Sequence, residues 1–437
     1  MILYPQDFEN RIDFNFLRQR LKSYCTFDKG RLQVDKMTFQ NNYQTILHSL
    51  ALTRQMLEVL TDPSLDLPDA DKHDLDEALH RIRIEGLILE EQELHRLRTM
   101  LNLVSAQVNF LTSLDHERFP LLTLLPDNYD TKHSSDIVKL IDRLLDQYGN
   151  IKDNASPELA SIRRELRQTE ASVSRLLTHI LKQAQQEGYI DADTAPTMRE
   201  GRLVIPITPA YKRKLSGIVH DESASGKTVY IEPSEVVEAN NRIRELENEE
   251  LQEKKRILLA FADKLRPHLS DIANCMEFLG DTDFLHAKAM LARELQAIAP
   301  EVNDMPQIDW RGARHPVLYC NFREQGKELV PLNIRLSDEN RILVISGPNA
   351  GGKSVCLKTV ALLQYMLQCG LLVPLREDST MGLFSDIMID IGDSQSIDDD
   401  LSTYSSHLRN MKAFLRQANE HSLVLIDEFG SGTEPLM

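Results

Sequence analysis

A glycine-rich segment followed by a lysine and a serine carries the clearest chemistry in this sequence. Residues 347–354 read GPNAGGKS and fit the pattern G-x-x-x-x-G-K-[ST]. Glycines let the backbone turn tightly and direct successive N–H groups at phosphate oxygens. The lysine adds a positive charge for the β- and γ-phosphates, and the serine offers a hydroxyl to Mg²⁺. The sequence therefore predicts a site for ATP and Mg²⁺, made by Gly347, Pro348, Asn349, Ala350, Gly351, Gly352, Lys353 and Ser354.

The segments on either side of this loop have the patterns that such a site requires. The apolar run RILVIS at 341–346 predicts a buried strand, and VCLKTVALLQYML predicts a helix directly after the loop. The N-terminal end of that helix would present its dipole to the anion. A phosphate loop is therefore favoured over an ordinary strand–turn–helix.

A second acidic motif follows further along the chain. The apolar run at 423–426 predicts a strand that ends in Asp427 and Glu428. An acid at the end of a buried strand can hold the metal, directly or through water, which is the role predicted for Asp427. A second acid beside it can polarise a water for attack on the γ-phosphate, which is the role predicted for Glu428.

Composition limits the class of protein. The chain has 437 residues, 42% hydrophobic residues and a formal net charge of −17. Such a charge argues against a protein that coats nucleic acid with its whole surface, so any contact must come from a local basic patch.

No secretory signal is visible at the start, and the longest apolar stretch is too short to span a bilayer. Five scattered cysteines without a CxxC pair favour reduced thiols and no zinc site. We expect a cytoplasmic protein with no membrane partner.

Helical patterns dominate the chain before residue 305, and one region has the form of an arm. Ser156 is the predicted N-cap of a helix over 156–190, whose apolar residues recur at steps of three and four. A helix over 234–265 is its predicted partner. Between them, 201–233 contains two short β-like runs and predicts a small β tip. The alternative is a hairpin buried inside a core, but charge covers most of both helices. The seam positions are Leu159, Ile162, Leu166, Thr169, Val173, Leu176 and Ile180, and those of the partner are Val236, Ile243, Leu246, Leu258, Phe261 and Leu265.

The tip is locally basic in an acidic chain. Lys212, Arg213 and Lys214 are adjacent to one another and to a tyrosine, and Lys227 lies in the same region. Clustered cations displace counterions from a nucleic-acid backbone and make binding sensitive to salt. These four residues are the predicted nucleic-acid contacts; a solvated loop is the alternative.

Several motifs together resemble the MutS-type ATPases, relatives of the ABC class, and in particular their second branch (MutS-two). The motifs are GPNAGGKS, DIGDSQSIDDDLSTYSSHLRNM and LVLIDEFGSGTEP, with further similarity in GRLVIPITPAYKRKLSGIVHDESASGKTVYIEP and ARHPVL. The resemblance implies a multidomain protein. It would have a mostly α-helical core and lever, a long helical-arm clamp with a small β tip, and an α/β P-loop ATPase domain of ABC type. The expected bounds are 1–150 and 266–304 for core and lever, 151–265 for the clamp arm and 305–437 for the ATPase domain.

The resemblance also implies a homodimer in which each nucleotide lies between two chains. Ser402, in the LST motif, would reach the γ-phosphate that the other subunit's Lys353 binds. A plain helix cap is the alternative for Ser402. Gln395 would lie near the metal or the attacking water, and a surface polar residue is its alternative.

For the intact protein, the resemblance implies one of two uses of the same machine. One is an ATP-driven clamp on DNA that suppresses homologous recombination without reading mismatches. The other is an ATPase that binds the ribosomal RNA of stalled ribosomes and splits them. A nucleotide-binding interaction module without turnover is a third possibility. Since the sequence stops soon after Glu428, we expect a truncated chain that lacks the end of the ATPase domain and the nuclease-like domain that the branch commonly adds.

Overall fold

The computed structural model describes residues 2–191, 193–199, 201–223, 226–347, 352–391 and 400–427, with the backbone alone at 400–406. The chain divides into two compact units. Within the described residues, no helix combines the length and the apolar character that crossing a membrane requires. The first unit contains Met1–Asp74, Thr99–Ser134 and Ser270–Met437, and the second contains Leu75–Arg98 and Ser135–Leu269.

Helices make up most of the regular structure. The helices are α1 (Phe8–Arg11), α2 (Phe14–Tyr24), α3 (Asp28–Lys36), α4 (Tyr43–Thr61), α5 (Asp76–Arg81), α6 (Glu91–Ser113), α7 (Pro120–Leu124), α8 (Ser134–Leu144), α9 (Pro157–Gln186), α10 (Val237–Leu265), α11 (Leu269–Leu295), α12 (Pro316–Glu324), α13 (Lys353–Gln368) and α14 (Asp400–Gln417).

The strands of the described residues form three sheets. They are β1 (Leu3–Tyr4), β2 (Thr197–Arg199), β3 (Arg202–Ile207), β4 (Gly217–Glu222), β5 (Val229–Pro233), β6 (Glu301–Asn303), β7 (Ile308–Ala313), β8 (Leu332–Leu336), β9 (Thr380–Gly382), β10 (Asp386–Asp390) and β11 (Ser422–Ile426). In the first unit, β1, β10 and β11 form a parallel sheet in that order, and β6-β9-β7-β8 form a mixed sheet. The second unit contains the antiparallel sheet β2-β3-β5-β4.

The core of the first unit gathers around α13. Residues 359–368 of this helix are all buried. The ring of Tyr365 contacts three other rings, those of Phe8, Phe14 and Phe39, at centroid distances of 5.4, 4.6 and 5.7 Å. Its hydroxyl donates to Glu9, which is also paired with an arginine of α2. The helix is therefore surrounded by packed side chains along its C-terminal two-thirds.

In the second unit, α9 and α10 pack against each other as an antiparallel pair. The predicted N-cap is confirmed: Ser156 Oγ accepts from the Leu159 N–H at 3.0 Å. The same hydroxyl donates to Glu253 Oε1 on α10 at 2.6 Å, so it fixes both the start of α9 and its distance from the partner helix. All six predicted apolar positions on the partner side are buried: Val236, Ile243, Leu246, Leu258, Phe261 and Leu265.

The distal half of α9 differs from the predicted seam. Leu176 and Ile180 were expected to line it, but Leu177 and Leu181 are the buried residues there, and the predicted pair is only partly buried. The reason is the partner, since this half of α9 packs on apolar side chains of the tip sheet, including those of β3 and β5, as well as on α10. A sheet covers a wider surface than a single helix, so the apolar stripe does not keep a heptad spacing.

A buried carboxylate holds the tip sheet together. Glu232 on β5 is fully buried and accepts from Arg202 at 2.7 and 2.9 Å and from Asn240 at 2.7 Å. His220 Nε2 lies 2.6 Å from Oε2 of the same carboxylate. Burial alone would raise the pKa of Glu232, but the hydrogen bonds from Asn240, His220 and Arg202 hold that pKa below its ordinary value. The network joins β3, β4, β5 and α10.

We expect Glu232→Ala to destabilise the tip by about 3–5 kcal/mol, because it leaves Arg202 partly buried without its counterion. Hydrogen exchange of the backbone over 202–222 measures the effect. In the unchanged chain, a lowered folded pKa stabilises the tip above pH 4.5, and this contribution is lost as pH falls through the folded value. Glu222→Ala, at an exposed position on β4, is the matched control and should leave exchange unchanged. Equal exchange in the two variants would contradict the structural role of Glu232.

Candidate functional site

The strand predicted at 341–346 is not present in the structure. These residues form no ladder with a described strand, and their apolar side chains are largely exposed: Ile342 is 86% and Val344 is 83% exposed. A buried-strand pattern gives a strand only where a neighbouring strand supplies hydrogen bonds. The described parallel sheet consists of β1, β10 and β11 alone, so the run lacks that partner.

The two ends of the glycine-rich loop are described, and they are close together. Gly352 has a φ of 82° and is the N-cap of α13, a left-handed conformation that glycine adopts at no steric cost. Lys353 Nζ donates to the Gly347 carbonyl at 2.8 Å, so the lysine folds back across the loop. Four predicted loop residues lie outside the described part of the chain: Pro348, Asn349, Ala350 and Gly351.

The start of α13 has the form of an anion site. The N–H of Cys356 makes the first intrahelical bond, to Gly352 at 2.9 Å. The N–H groups of Ser354 and Val355 therefore have no acceptor within the helix, and they lie at the positive end of its dipole. Both residues are exposed. The ammonium group of Lys353, these amides and the Ser354 hydroxyl are the donors that a phosphate chain requires.

The other end of α13 is held by a buried lysine. Lys288 Nζ on α11 donates to the Gly370 carbonyl at 3.1 Å and to Ser49 Oγ on α4 at 2.7 Å. This carbonyl lies just past the C-terminal end of the helix, where a positive charge is favourable. Burial lowers the pKa of Lys288 to about 8. Lys288 thus links the C-terminal end of α13 to two core helices.

Asp427 lies at the carboxyl end of β11. Its N–H donates to the carbonyl of Asp390, the last residue of β10, at 2.9 Å. Because β10 and β11 are parallel, with Asp390 opposite Ile426, both aspartates lie at the same edge of the sheet. Ligands of α/β sheets bind at this edge. The helix α13 contacts β11, and Glu428 lies outside the described residues.

A hydrogen-bond cluster that the sequence did not predict lies beside Asp427. The buried Asp390 carboxylate accepts from Asn410 at 2.7 Å and lies 2.6 Å from His407 Nδ1. Both partners are on α14, three residues apart and so on one face of the helix. Tyr4 Oη on β1 donates to Asn410 Oδ1 at 2.7 Å. The spacing of the histidine and asparagine was a visible signal, but nothing local linked it to a strand end.

This cluster fixes α14 against the parallel sheet. The ring of Phe414 on the same helix also packs edge-on against Tyr4, with centroids 5.6 Å apart. The first turn of α14 contains Ser402, whose side chain lies outside the described part, and Gln395 lies outside it entirely. The contacts of the cluster thus lie five residues or more beyond Ser402 on the same helix.

At the tip, the predicted cations have different surroundings from the other basic residues. Lys212, Arg213, Lys214 and Lys227 are all exposed. Arg202, which belongs to the same basic region, is paired with Glu232 inside the sheet instead. Three of these four exposed cations thus lie just before β4, and Lys227 lies between β4 and β5.

Comparisons with known proteins agree with these features. The family model described as MutS domain V matches residues 343–436. The chain is 34% identical over 425 residues to Endonuclease MutS2 of Levilactobacillus brevis, 37% over 432 residues to that of Gemmatimonas aurantiaca and 38% over 434 residues to that of Lacticaseibacillus paracasei. Each match covers 97% of this chain and 53%, 51% and 52% of the relative, respectively.

The chain thus spans about half the length of the curated relatives that it matches. Within that length, the similarity runs through both compact units. The match to MutS domain V contains the glycine-rich loop, the four residues before it, β11 and Asp427. The chain belongs to the MutS family, in the branch of the proteins named MutS2.

Proposed function

We propose that this protein is an ATP-dependent clamp on DNA, in which ATP binding and hydrolysis drive closure of a homodimer. The observation that carries the proposal is the anion site at the start of α13, where Lys353 reaches back to Gly347 across the loop. A loop closed by its own lysine, on the positive end of a buried helix, is suited to a nucleotide triphosphate.

Two described residues offer oxygen ligands of the kind that Mg²⁺ prefers. The Ser354 hydroxyl is exposed beside the phosphate donors, and Asp427 supplies a carboxylate at the carboxyl edge of the sheet. Oxygen ligands of this kind suit Mg²⁺, which would neutralise charge on the phosphates. In the proposed reaction Glu428 polarises the attacking water, and Gln395 lies near the metal or that water.

The proposed dimer places Ser402 of one chain against the γ-phosphate bound by the other. The anchoring of α14 by Asp390, His407 and Asn410 supports this role, since a residue that acts across an interface needs a fixed helix behind it. A serine hydroxyl at a helix start stabilises anionic oxygen.

The clamp tips are the proposed contacts with DNA, through Lys212, Arg213, Lys214 and Lys227. The names of the relatives support an action on nucleic acid, because they call those proteins endonucleases. We further propose suppression of homologous recombination as the use of the clamp, and a cytoplasmic location. No described feature favours the ribosome as a second partner.

We expect Lys353→Ala to weaken ATP binding by about 100-fold or more. The reason is that Lys353 is the only cationic side chain among the described residues of the loop, and its charge would pair with the phosphates. Titration calorimetry with a non-hydrolysable analogue and Mg²⁺ measures this. Lys358→Ala, on the same helix and paired with Asp13, is the control and should bind as the native chain does. Unchanged affinity in Lys353→Ala would refute the site.

Removal of the proposed metal ligand gives a different result. Asp427→Asn should bind the analogue as the native chain does in EDTA, but lose most of the increase in affinity that Mg²⁺ produces. The difference between titrations with and without Mg²⁺ isolates this effect. Glu420→Gln, an exposed acid just before β11, should keep the full increase. If Asp427→Asn kept it too, the metal would be held elsewhere.

Replacing Lys212, Arg213 and Lys214 together by alanine should weaken DNA binding and reduce the magnitude of the slope of log K against log salt by about 3. Each cation that contacts a phosphate releases about one counterion on binding, and the variant loses three such cations. Fluorescence anisotropy over a salt series measures the slope. The control replaces three exposed cations of α9, Arg164, Arg175 and Lys182, and changes the net charge equally. An unchanged slope in the tip variant would place the DNA contact elsewhere.

A further inference from the structure

The positive charge of the tip is divided between two kinds of site. Arg202 is bound to the buried Glu232 at 2.7 Å, and Arg199 lies 3.8 Å from Asp221. By contrast, the three cations at 212–214 are exposed, and none is within ion-pair distance of a carboxylate of the described residues. Three of the four predicted cations, all exposed, therefore lie together in one short segment, where they can contact phosphates.

An exposed aromatic ring lies directly before this segment. Tyr211 is 41% exposed, and its ring packs against that of Tyr189 with centroids 5.8 Å apart and an angle of 31°. Lys214 Nζ lies 5.7 Å from the centroid of the Tyr189 ring. One neighbour thus supports the Tyr211 ring, while a large part of the ring faces solvent next to the cations.

The strand that follows adds apolar surface. β4 is an edge strand of the tip sheet, and Ile218 and Val219 are each 48% exposed. Successive side chains on a strand point to opposite faces, so both faces of this edge carry an exposed aliphatic group. Such groups gain nothing from phosphate oxygens, but they suit the faces of bases and sugars.

An aromatic ring, three cations and two exposed aliphatic side chains therefore lie within nine residues. In a duplex the faces of the bases are stacked on one another, and only phosphates and groove edges can be reached. Unpaired nucleotides expose both their phosphates and their base faces, and aromatic side chains beside cations are the common means of binding them. If this surface bound phosphates alone, the exposed side chains of Tyr211, Ile218 and Val219 would gain no contact from the nucleic acid.

We propose that residues 211–219 bind unpaired nucleotides of DNA, with Tyr211 stacked on a base and Lys212 and Arg213 on the flanking phosphates. This inference rests on the proposed function and names its substrate class. The partner is a DNA that contains a single-stranded segment, such as a gap, and not a continuous duplex.

Fluorescence anisotropy with the whole chain tests the proposal on a single-stranded oligonucleotide, its duplex, and the same duplex with a single-stranded gap. Tyr211→Ala should weaken binding to the single strand and the gapped duplex by about tenfold and leave the duplex within about twofold. Tyr211→Phe should bind as the native chain does, since stacking needs only the ring. The control is Tyr148→Ala, which removes a tyrosine that is 71% exposed on another loop of the second unit.

The double variant Lys212→Ala/Arg213→Ala separates this inference from the function on which it rests. We expect it to weaken binding to all three DNAs. If it does so while Tyr211→Ala affects all three equally or not at all, the role of unpaired bases is overturned and the DNA clamp stands. If it changes none of them, the proposed nucleic-acid contact itself fails. Tighter binding of a single-stranded RNA of the same sequence would overturn the assignment to DNA.

Discussion

Burial of α13 is the constraint on which the phosphate site depends. Gln364 and Gln368 are fully buried, and their amides donate to the carbonyls of Gly382 and Phe384 at 2.9 and 2.8 Å. Buried amides that lose such partners are costly, so the helix cannot slide or rotate without breaking several bonds at once. The exposed first turn is therefore carried on a rigid support, and binding energy need not be spent on ordering it.

A second carboxylate has a comparable role at the edge of the parallel sheet. Both oxygens of Asp390 are used by α14, while its backbone carbonyl accepts from Asp427. One residue thus contacts both α14, the helix that contains Ser402, and the residue that follows β11. If nucleotide binding moves Asp427, the hydrogen bond to Asp390 is a direct route by which α14 would respond.

The helix after the glycine-rich loop could be predicted from sequence because its signals are local: a glycine precedes it, and its apolar pattern is continuous. The phosphate site itself remains a prediction, since four of the eight loop residues lie outside the described part of the chain. The Asp390–His407 contact joins residues that are distant in sequence, and no local pattern reveals it. The strand prediction at 341–346 is wrong for the same reason, since a strand needs a neighbouring strand that the apolar run itself does not specify. The shift from Leu176 to Leu177 reflects a partner sheet where a helix was expected.

The tip shows how an acidic chain can present a basic surface. Its stability comes from inside: the apolar side chains of α9 pack on β3 and β5, and Glu232 neutralises Arg202 and binds His220 and Asn240. These interactions need neither the cations at 212–214 nor the outer edge of β4. The sheet can therefore leave that edge unpaired and its cations solvated at little cost to folding, and this separation of stabilising from exposed residues is what makes the surface open to a partner.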